Sequence, residues 1–143
     1  MFSIKLSNQI KNNIHHHALK EYPKECCGFL IGYAKDNLLI CVDIKNANNI
    51  AKNPQKFFEI NPQDIINIQK KYRNTKLLVI GHHHSHPNMM LNSKPSKKDI
   101  DSIHDSNLCW IIVGINNYGI EYSAYIPELT KENTYDLKKI NII

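Results

Sequence analysis

Apolar residues that recur every three or four positions, together with capping residues, predict three helices. The first is capped by Ser7 and runs to about Lys20, shortly before Pro23. The second begins with an Asn-Pro pair, which suits a helix N-cap and first position, and spans residues 61–73. The third, at residues 97–105, follows a Pro-Ser pair whose serine can cap it.

Runs of branched apolar residues and alternating segments predict seven strands, at residues 2–6, 25–31, 38–44, 57–60, 76–83, 109–115 and 120–126. After Pro127 the pattern weakens. Residues 131–136 are predicted to be a loop or helical turn, and residues 140–143 an edge strand or a contact surface. The order β-α-β-β-β-α-β-α-β-β predicts an α/β or α+β fold with a mixed, curved sheet flanked by helices.

Length and composition predict one soluble domain that spans residues 1–143. No apolar run approaches the roughly 20 residues that cross a bilayer, so we expect no membrane association. The formal net charge is +5, but the lysines are scattered, and nucleic acid is therefore not an expected partner. The four cysteines lack C-x-x-C spacing and the N-terminus lacks a signal peptide, which predicts a cytoplasmic protein. These features leave the oligomeric state open.

Candidate chemistry is concentrated in the segment Gly81-His82-His83-His84-Ser85-His86-Pro87. It follows the apolar run Leu77–Ile80, which predicts a buried strand. If that strand continues, His84 and His86 project to the same side and lie roughly 7 Å apart along the backbone. Two imidazoles at that spacing can bind one small cation, and Pro87, which has no N–H, ends the strand beside a loop.

The segment after this strand supplies a candidate third ligand. Ser96 has the position of a helix N-cap, and Asp99 lies in the first helical turn, which fixes the direction of its side chain. Two neutral imidazoles and one carboxylate leave a fourth tetrahedral position open, as in a catalytic rather than a structural zinc site. The sequence therefore predicts a Zn²⁺ ion bound by two histidines and Asp99.

Other residues of the histidine segment have competing interpretations. Strand alternation places His82 on the same face as His84, so a His82/His84 pair is geometrically possible. His83 lies on the opposite face and is expected to be packed or hydrogen-bonded. Ser85 is expected to be an exposed hydroxyl that hydrogen-bonds locally.

The remaining polar candidates favour structural roles when each is taken alone. Residues 15–17 are three histidines that fan out around the first helix, and we expect them to be solvated. His104 is expected at the surface, late in the third helix. Cys27 is expected to be a buried packing residue. Glu25 opens an apolar segment, and a charged residue at such a position most often faces solvent.

The motif His84-Ser85-His86-Pro87 is followed by Ser96-x-x-Asp99, and upstream the pattern Glu-x-Cys-Gly-x-Leu-x-Gly begins at Glu25. Together these motifs resemble the JAMM (MPN-plus) zinc metalloprotease family. The resemblance extends from about residue 22 to residue 125. It implies a JAMM/MPN-like domain built as a cytidine deaminase-like sandwich of sheet and helices.

The resemblance also implies a role for each site residue. The zinc ligands are expected to be His84, His86 and Asp99. Glu25 is expected to be the general base and proton shuttle, and Ser96 to help stabilise the oxyanion. All five positions are occupied, as in the active members of the family rather than in its metal-free scaffold members.

The family pattern favours the His84/His86 pair over His82/His84, because in that pattern a proline directly follows the second ligand. One departure concerns the spacing. Twelve residues, 87–98, separate the second histidine from the aspartate, two more than is usual in the family. The surplus falls in the loop at residues 88–94, where a longer connection costs little entropy.

For small stand-alone members, the resemblance implies a zinc-dependent isopeptidase or peptidase that cleaves near the C-terminus of a ubiquitin-like or sulfur-carrier protein. The loops at residues 46–56 and 88–94 are candidates to hold such a substrate. The alternatives are a non-catalytic scaffold of the same fold and a peptidase that acts on a cell-wall or phage-tail peptide. Retention of all five site residues argues against the scaffold, whereas the sequence separates the two peptidase hypotheses poorly.

Overall fold

In a computed structural model, which describes residues 3–143, the described residues form seven strands and three helices. In chain order these are β1 (Ser3–Lys5), α1 (Asn8–Glu21), β2 (Cys27–Lys35), β3 (Leu38–Ala47), α2 (Pro62–Tyr72), β4 (Leu78–Pro87), α3 (Lys97–Asp101), β5 (Cys109–Asn116), β6 (Gly119–Leu129) and β7 (Tyr135–Ile142). Phe2, which the sequence predicts to lie in the first strand, is outside the described residues.

The strands close into a barrel in the order β1-β3-β2-β4-β5-β6-β7. β4 pairs antiparallel with β2 and parallel with β5, so the sheet is mixed, as predicted. The prediction of a mixed α+β arrangement is confirmed. A sandwich flanked by helices is only a loose description, because β7 pairs with both β6 and β1 and thereby closes the sheet.

Two predicted segments differ from the structure. Residues 57–60 form no strand; they belong to a loop in which the Glu59 N–H is bonded by the Asn49 side chain. β7 occupies residues 135–142, where the sequence predicts a loop followed by a short edge strand. Tyr135 and Leu137 pack on one face of the sheet and Ile140 on the other. The apolar positions thus change face within the strand, so the sequence lacks the regular apolar-polar alternation that would predict it.

β5 lies between β4 and β6 and is buried on both faces, as its apolar sequence predicts. On one face, Ile111 and Val113 join the main core, against which α1 packs with Ile10, Ile14 and Ala18. On the other face, Trp110 and Ile112 form a second cluster with Ile103 and Tyr125. The two faces of the sheet therefore have separate cores, and the second one adjoins the predicted site.

The predicted helix starts are confirmed. Ser7 caps α1 by accepting a hydrogen bond from the Ile10 N–H, and Asn61 caps α2, with Pro62 in its first turn. α3 is shorter than predicted and ends at Asp101. No residue of α2 is fully buried, so this helix covers the sheet loosely. Within residues 3–143, no helix combines the length and the apolar character that a membrane span requires.

Candidate metal centre

β4 carries the predicted histidine ligands and ends at Pro87, as the sequence predicts. His84 is fully buried and lies between Cys27 of β2 and Ile112 of β5 in the sheet. His86 lies two residues further on, where β4 approaches its end, and is partly exposed. Because side chains two apart share a face, both imidazoles point to the same side of the sheet, with their Nε2 atoms 3.0 Å apart.

α3 brings Asp99 to these histidines. Ser96 and Asp99 form a capping box, in which the Ser96 side chain accepts from the Asp99 N–H and the Asp99 carboxylate accepts from the Ser96 N–H. These bonds fix the Asp99 side chain, which is 4% exposed. Its Oδ1 lies 3.3 Å from His84 Nε2 and its Oδ2 lies 3.1 Å from His86 Nε2.

The three donor groups fit a tetrahedral cation. Donors that each lie 2.0–2.1 Å from a tetrahedral zinc ion are ~3.3 Å from one another. The three separations between the side chains of His84, His86 and Asp99 are 3.0, 3.1 and 3.3 Å. The set is of the His₂-carboxylate type, which leaves one coordination position open.

The protonation states of His84 and Asp99 also suit a bound cation. Burial lowers the pKa of His84, against a smaller opposite effect of Asp99. Burial acts to raise the pKa of Asp99, but hydrogen bonds from His84 and His86 outweigh it, and the net effect is a lowered pKa. Both shifts favour a neutral imidazole beside a carboxylate, the forms in which these side chains bind metals.

Glu25 joins the cluster from the segment that precedes β2. It is 5% exposed, and its carboxylate and the ring nitrogens of His84 and His86 all lie within 4.8 Å of one another. Burial, and then the negative charge of Asp99, raises the pKa of Glu25 to about 9. No lysine or arginine within residues 3–143 forms an ion pair with Glu25 or Asp99. A bound cation would supply the positive charge that these two buried carboxylates lack.

Ser96 has a structural role in the geometry. Its side chain is the N-cap of α3, and its Oγ accepts a hydrogen bond of 3.1 Å from the Asp99 N–H. The residue itself is exposed. Its predicted contribution to an oxyanion remains a prediction.

His82 lies beside the cluster rather than within it. Its ring packs edge-on against Trp110, with ring centroids 4.3 Å apart. Burial, and then the proximity of His84, lowers the pKa of His82 to about 3. The ring centroids of His82 and His84 are 6.3 Å apart, whereas those of His84 and His86 are 4.8 Å apart and their Nε2 atoms 3.0 Å apart. The geometry thus favours the His84/His86 pair.

Two predictions about the opposite face of β4 and about α1 are wrong. Ser85 is fully buried, and its Oγ accepts a 2.7 Å hydrogen bond from the Cys26 N–H, 59 residues away in sequence. His17 is 8% exposed rather than solvated, because it lies three residues after Ile14 on the buried face of α1. Its ring meets that of His83 edge-on, with centroids 6.2 Å apart.

Two further predictions are confirmed at least in part. Cys27 is buried, and burial raises the pKa of its thiol to about 12, so it is an inert packing residue. His104 is exposed at the surface, although it lies beyond the end of α3 rather than in the helix.

Two residues that the sequence analysis did not single out support the site. Phe58 stacks on His84, with ring centroids 4.3 Å apart and an interplanar angle of 23°. Asn49 donates a hydrogen bond to the Glu25 carbonyl at 2.9 Å. Both lie in or next to the polar loop at residues 46–56, which the sequence marks as a possible binding surface. Their individual roles depend on contacts with Glu25 and His84 that are distant in sequence.

A cavity of about 790 Å³ lies beside the cluster, between α2 and the sheet. Most of its lining is apolar, from Phe29, Phe58, Ile68 and Trp110, and His82 forms part of it. Phe58 also touches His84, so the cavity and the candidate metal centre share a wall. The cavity is large enough for a bulky apolar group.

Comparison with known proteins places these features in a family. The model of the prokaryotic homologues of the JAB domain matches residues 7–125. The search of curated proteins finds no match.

Two solved structures have a similar fold. The solution structure of a protein from Desulfitobacterium hafniense has a TM-score of 0.78 and 21% identity, and covers 98% of this chain and 92% of its own. The solution structure of a protein from Salinibacter ruber has a TM-score of 0.66 and 22% identity, and covers 100% of this chain and 92% of its own. At this identity the likeness shows the fold alone.

Proposed function

Because the chain belongs to the prokaryotic homologues of the JAB domain, with a match over residues 7–125, we propose that it is a zinc-dependent peptidase or isopeptidase. One observation carries the proposal: two imidazoles and a carboxylate lie within 3.3 Å of one another, beside a second buried carboxylate. A protein that only binds partners needs neither the donor set nor the additional acid, and burying both acids costs stability.

We propose that His84, His86 and Asp99 hold the Zn²⁺ ion. When bound, zinc supplies a Lewis acid that polarises a carbonyl group and lowers the pKa of water toward ~7. The capping box of α3 keeps the Asp99 carboxylate directed at both imidazoles. Stacking on Phe58 fixes the plane of the His84 ring, whose Nδ1 has no hydrogen-bond partner among residues 3–143.

Glu25 is the proposed general base. With a cation held by the neighbouring ligands, the pKa of Glu25 would fall from its raised value, and the Glu25 carboxylate could accept a proton from the attacking water. The same carboxyl group then donates that proton to the departing amine. Ser96 is the proposed donor to the carbonyl oxygen as negative charge develops on it, a contribution of ~3–4 kcal/mol for one such donor.

The proposed substrate is a ubiquitin-like or sulfur-carrier protein cleaved near its C-terminus. The support is the family membership and two loops beside the site, at residues 46–56 and 88–94. Met89 and Met90 at the tip of the second loop are 91% and 86% exposed, and such flexible apolar side chains adapt to a partner surface. We also propose that the protein acts in the cytoplasm.

The test is incubation of zinc-loaded protein with a panel of ubiquitin-like proteins that carry C-terminal fusions. Cleavage that stops on addition of a chelator and returns with zinc supports the proposal. The Glu25→Gln protein is the matched control, since it is expected to retain zinc but not to cleave. Zinc uptake without cleavage of any fusion, but with cleavage of cell-wall peptides, would favour the alternative peptidase. Failure to bind zinc at all would favour the scaffold.

A further inference from the structure

Glu25 lies just outside the sheet, and its backbone depends on a loop for hydrogen bonds. β2 begins at Cys27, so the ladders to β3 and β4 do not include Glu25. Its N–H donates instead to the Pro54 carbonyl at 2.7 Å, and its carbonyl accepts from Asn49 Nδ2 at 2.9 Å. Both backbone groups of the proposed base are therefore bonded by residues 49–59, which we call the Asn49 segment.

The Asn49 side chain joins the two ends of this segment. Its Nδ2 also donates to the carbonyl of Phe57 at 2.9 Å, and its Oδ1 accepts from the N–H groups of Ala51 at 3.0 Å and Glu59 at 3.1 Å. Carbonyls on one side and N–H groups on the other define the orientation of the amide. A single side chain therefore satisfies polar backbone groups that no strand or helix would pair.

The same segment contacts the rest of the candidate site. Phe58 stacks on His84, and the Lys98 ammonium of α3 lies 4.9 Å from the centroid of the Phe57 ring. Asn49 bonds the residues on both sides of Phe58, through the carbonyl of Phe57 and the N–H of Glu59. The position of Phe58 against His84 is thus coupled to the same side chain that bonds Glu25.

We propose that Asn49 is a positioning residue for Glu25, an inference that rests on the proposed function. Asn49 contacts the backbone of Glu25, not the reacting atoms. It acts by holding the Glu25 carbonyl and the Asn49 segment together, so that the Glu25 carboxylate stays within reach of His84 and His86. A displacement of about 1 Å at a reacting group can reduce the rate ~100-fold.

The test compares two asparagines that undergo the same substitution. Asn49→Asp keeps the acceptor for Ala51 and Glu59 but removes the Nδ2 donor, which bonds the carbonyls of Glu25, Phe57 and, at 3.4 Å, Pro54. Asn116→Asp is the matched control. Asn116 accepts from the N–H groups of Tyr118 and Gly119 and donates to the Met89 carbonyl, so it also loses its side-chain donor, to one carbonyl and away from Glu25.

With a fusion substrate that the parent protein cleaves, we expect Asn49→Asp to lower kcat about 100-fold, with KM and zinc content unchanged. Asn116→Asp is expected to retain the parent kcat; because Asn116 bonds the proposed substrate loop at Met89, any effect of this variant is expected in KM. A purely structural role for Asn49 gives a different result, in which thermal stability falls while the kcat of the folded protein is retained. That result would overturn the proposal.

A second measurement needs no substrate and no metal. The Glu25 N–H donates to the Pro54 carbonyl, which belongs to the segment that Asn49 holds. Amide hydrogen exchange by NMR on the metal-free proteins is therefore expected to be about 10-fold faster at Glu25 in Asn49→Asp, with no such change in Asn116→Asp. The proposal is wrong if exchange at Glu25 is unchanged, or if it rises equally in both variants. If the parent protein cleaves no fusion, the proposed function fails, and the exchange result still decides whether Asn49 holds Glu25.

Discussion

The two faces of β4 carry buried histidines in opposite circumstances. On one face, the Nε2 atoms of His84 and His86 are 3.0 Å apart, and the Asp99 carboxylate lies within 3.3 Å of both. On the other face, His83 meets His17 edge-on at a centroid distance of 6.2 Å. Neither ring nitrogen of His83 has a hydrogen-bond partner among residues 3–143.

The difference shows that imidazoles from one strand do not make a metal site by themselves. A carboxylate delivered by another element turns the first face into a set of converging donors. Within residues 3–143, no carboxylate forms an ion pair with His17 or His83 on the second face. These imidazoles behave as packing groups that burial holds neutral, with the pKa of His83 lowered to about 3 by burial and then by His17. The acids Asp99 and Glu25 therefore distinguish the candidate site from the core.

Substitution of a ligand should have the largest effect on zinc content and turnover. Only substitutions at the face of β4 that carries His84 and His86 should have this effect. We expect Asp99→Ala or His84→Ala to reduce bound zinc to well below one ion per chain and to abolish turnover, because two ligands hold zinc poorly. Metal content measured on purified protein tests this. His82→Ala and His83→Leu are the controls and should bind zinc as the parent does. Loss of zinc in His82→Ala would reassign the ligand pair.

Glu25→Gln should have the next largest effect. The amide has the same shape but cannot accept a proton, so we expect turnover to fall by ~10²–10⁴-fold while zinc content and thermal stability are retained. Parallel measurement of zinc and of fusion cleavage provides the test. Unchanged cleavage in this variant would remove Glu25 as the base and leave Asp99 as the acid that matters on this face.

Substitution of His83 should change the pH dependence of stability and should leave zinc binding unchanged. The unfolded chain protonates His83 below pH ~6.5, whereas burial lowers the pKa of His83 in the folded protein to about 3. The contribution of His83 to stability is therefore complete above pH 6.5 and declines toward pH 3, by up to ~1.4 kcal/mol per pH unit.

The variant His83→Leu tests whether His83 lowers stability as the pH falls. Urea unfolding of metal-free protein at several values between pH 7 and pH 5 should show a shallower loss of stability in the variant than in the parent. At pH 7 the variant should be about as stable as the parent, because the ring nitrogens that it lacks have no partners in residues 3–143. A slope identical to that of the parent would show that His83 does not titrate as its burial implies.

Ser96→Ala should have a small effect on stability, a loss of ~1 kcal/mol from the missing N-cap of α3. Ser96→Thr retains both the cap and the hydroxyl and is the matched control. Thermal unfolding measures the cap, and cleavage by the folded protein measures the proposed donor. If Ser96→Ala loses stability but no activity, Ser96 serves the metal face only by fixing Asp99.

The local part of the site could be predicted because it depends on residues close together in the chain. His84 and His86 share a face through the two-residue period of a strand, and Ser96 and Asp99 form a capping box through the three-residue spacing of a helix start. The same reasoning failed for Ser85, because its partner, the Cys26 N–H, lies 59 residues away.

The sequence by itself determined the identities and local directions of the groups. These are the histidines of β4, which include His84 and His86, the capping-box residue Asp99 of α3, and Glu25 before β2. Only the tertiary structure decided which of these groups meet. Barrel closure through β7, burial of His17 and the bonding of Glu25 by Asn49 all depend on segments far apart in the chain. Such contacts leave no local period, because neighbouring residues in sequence do not set the distance between two separate elements.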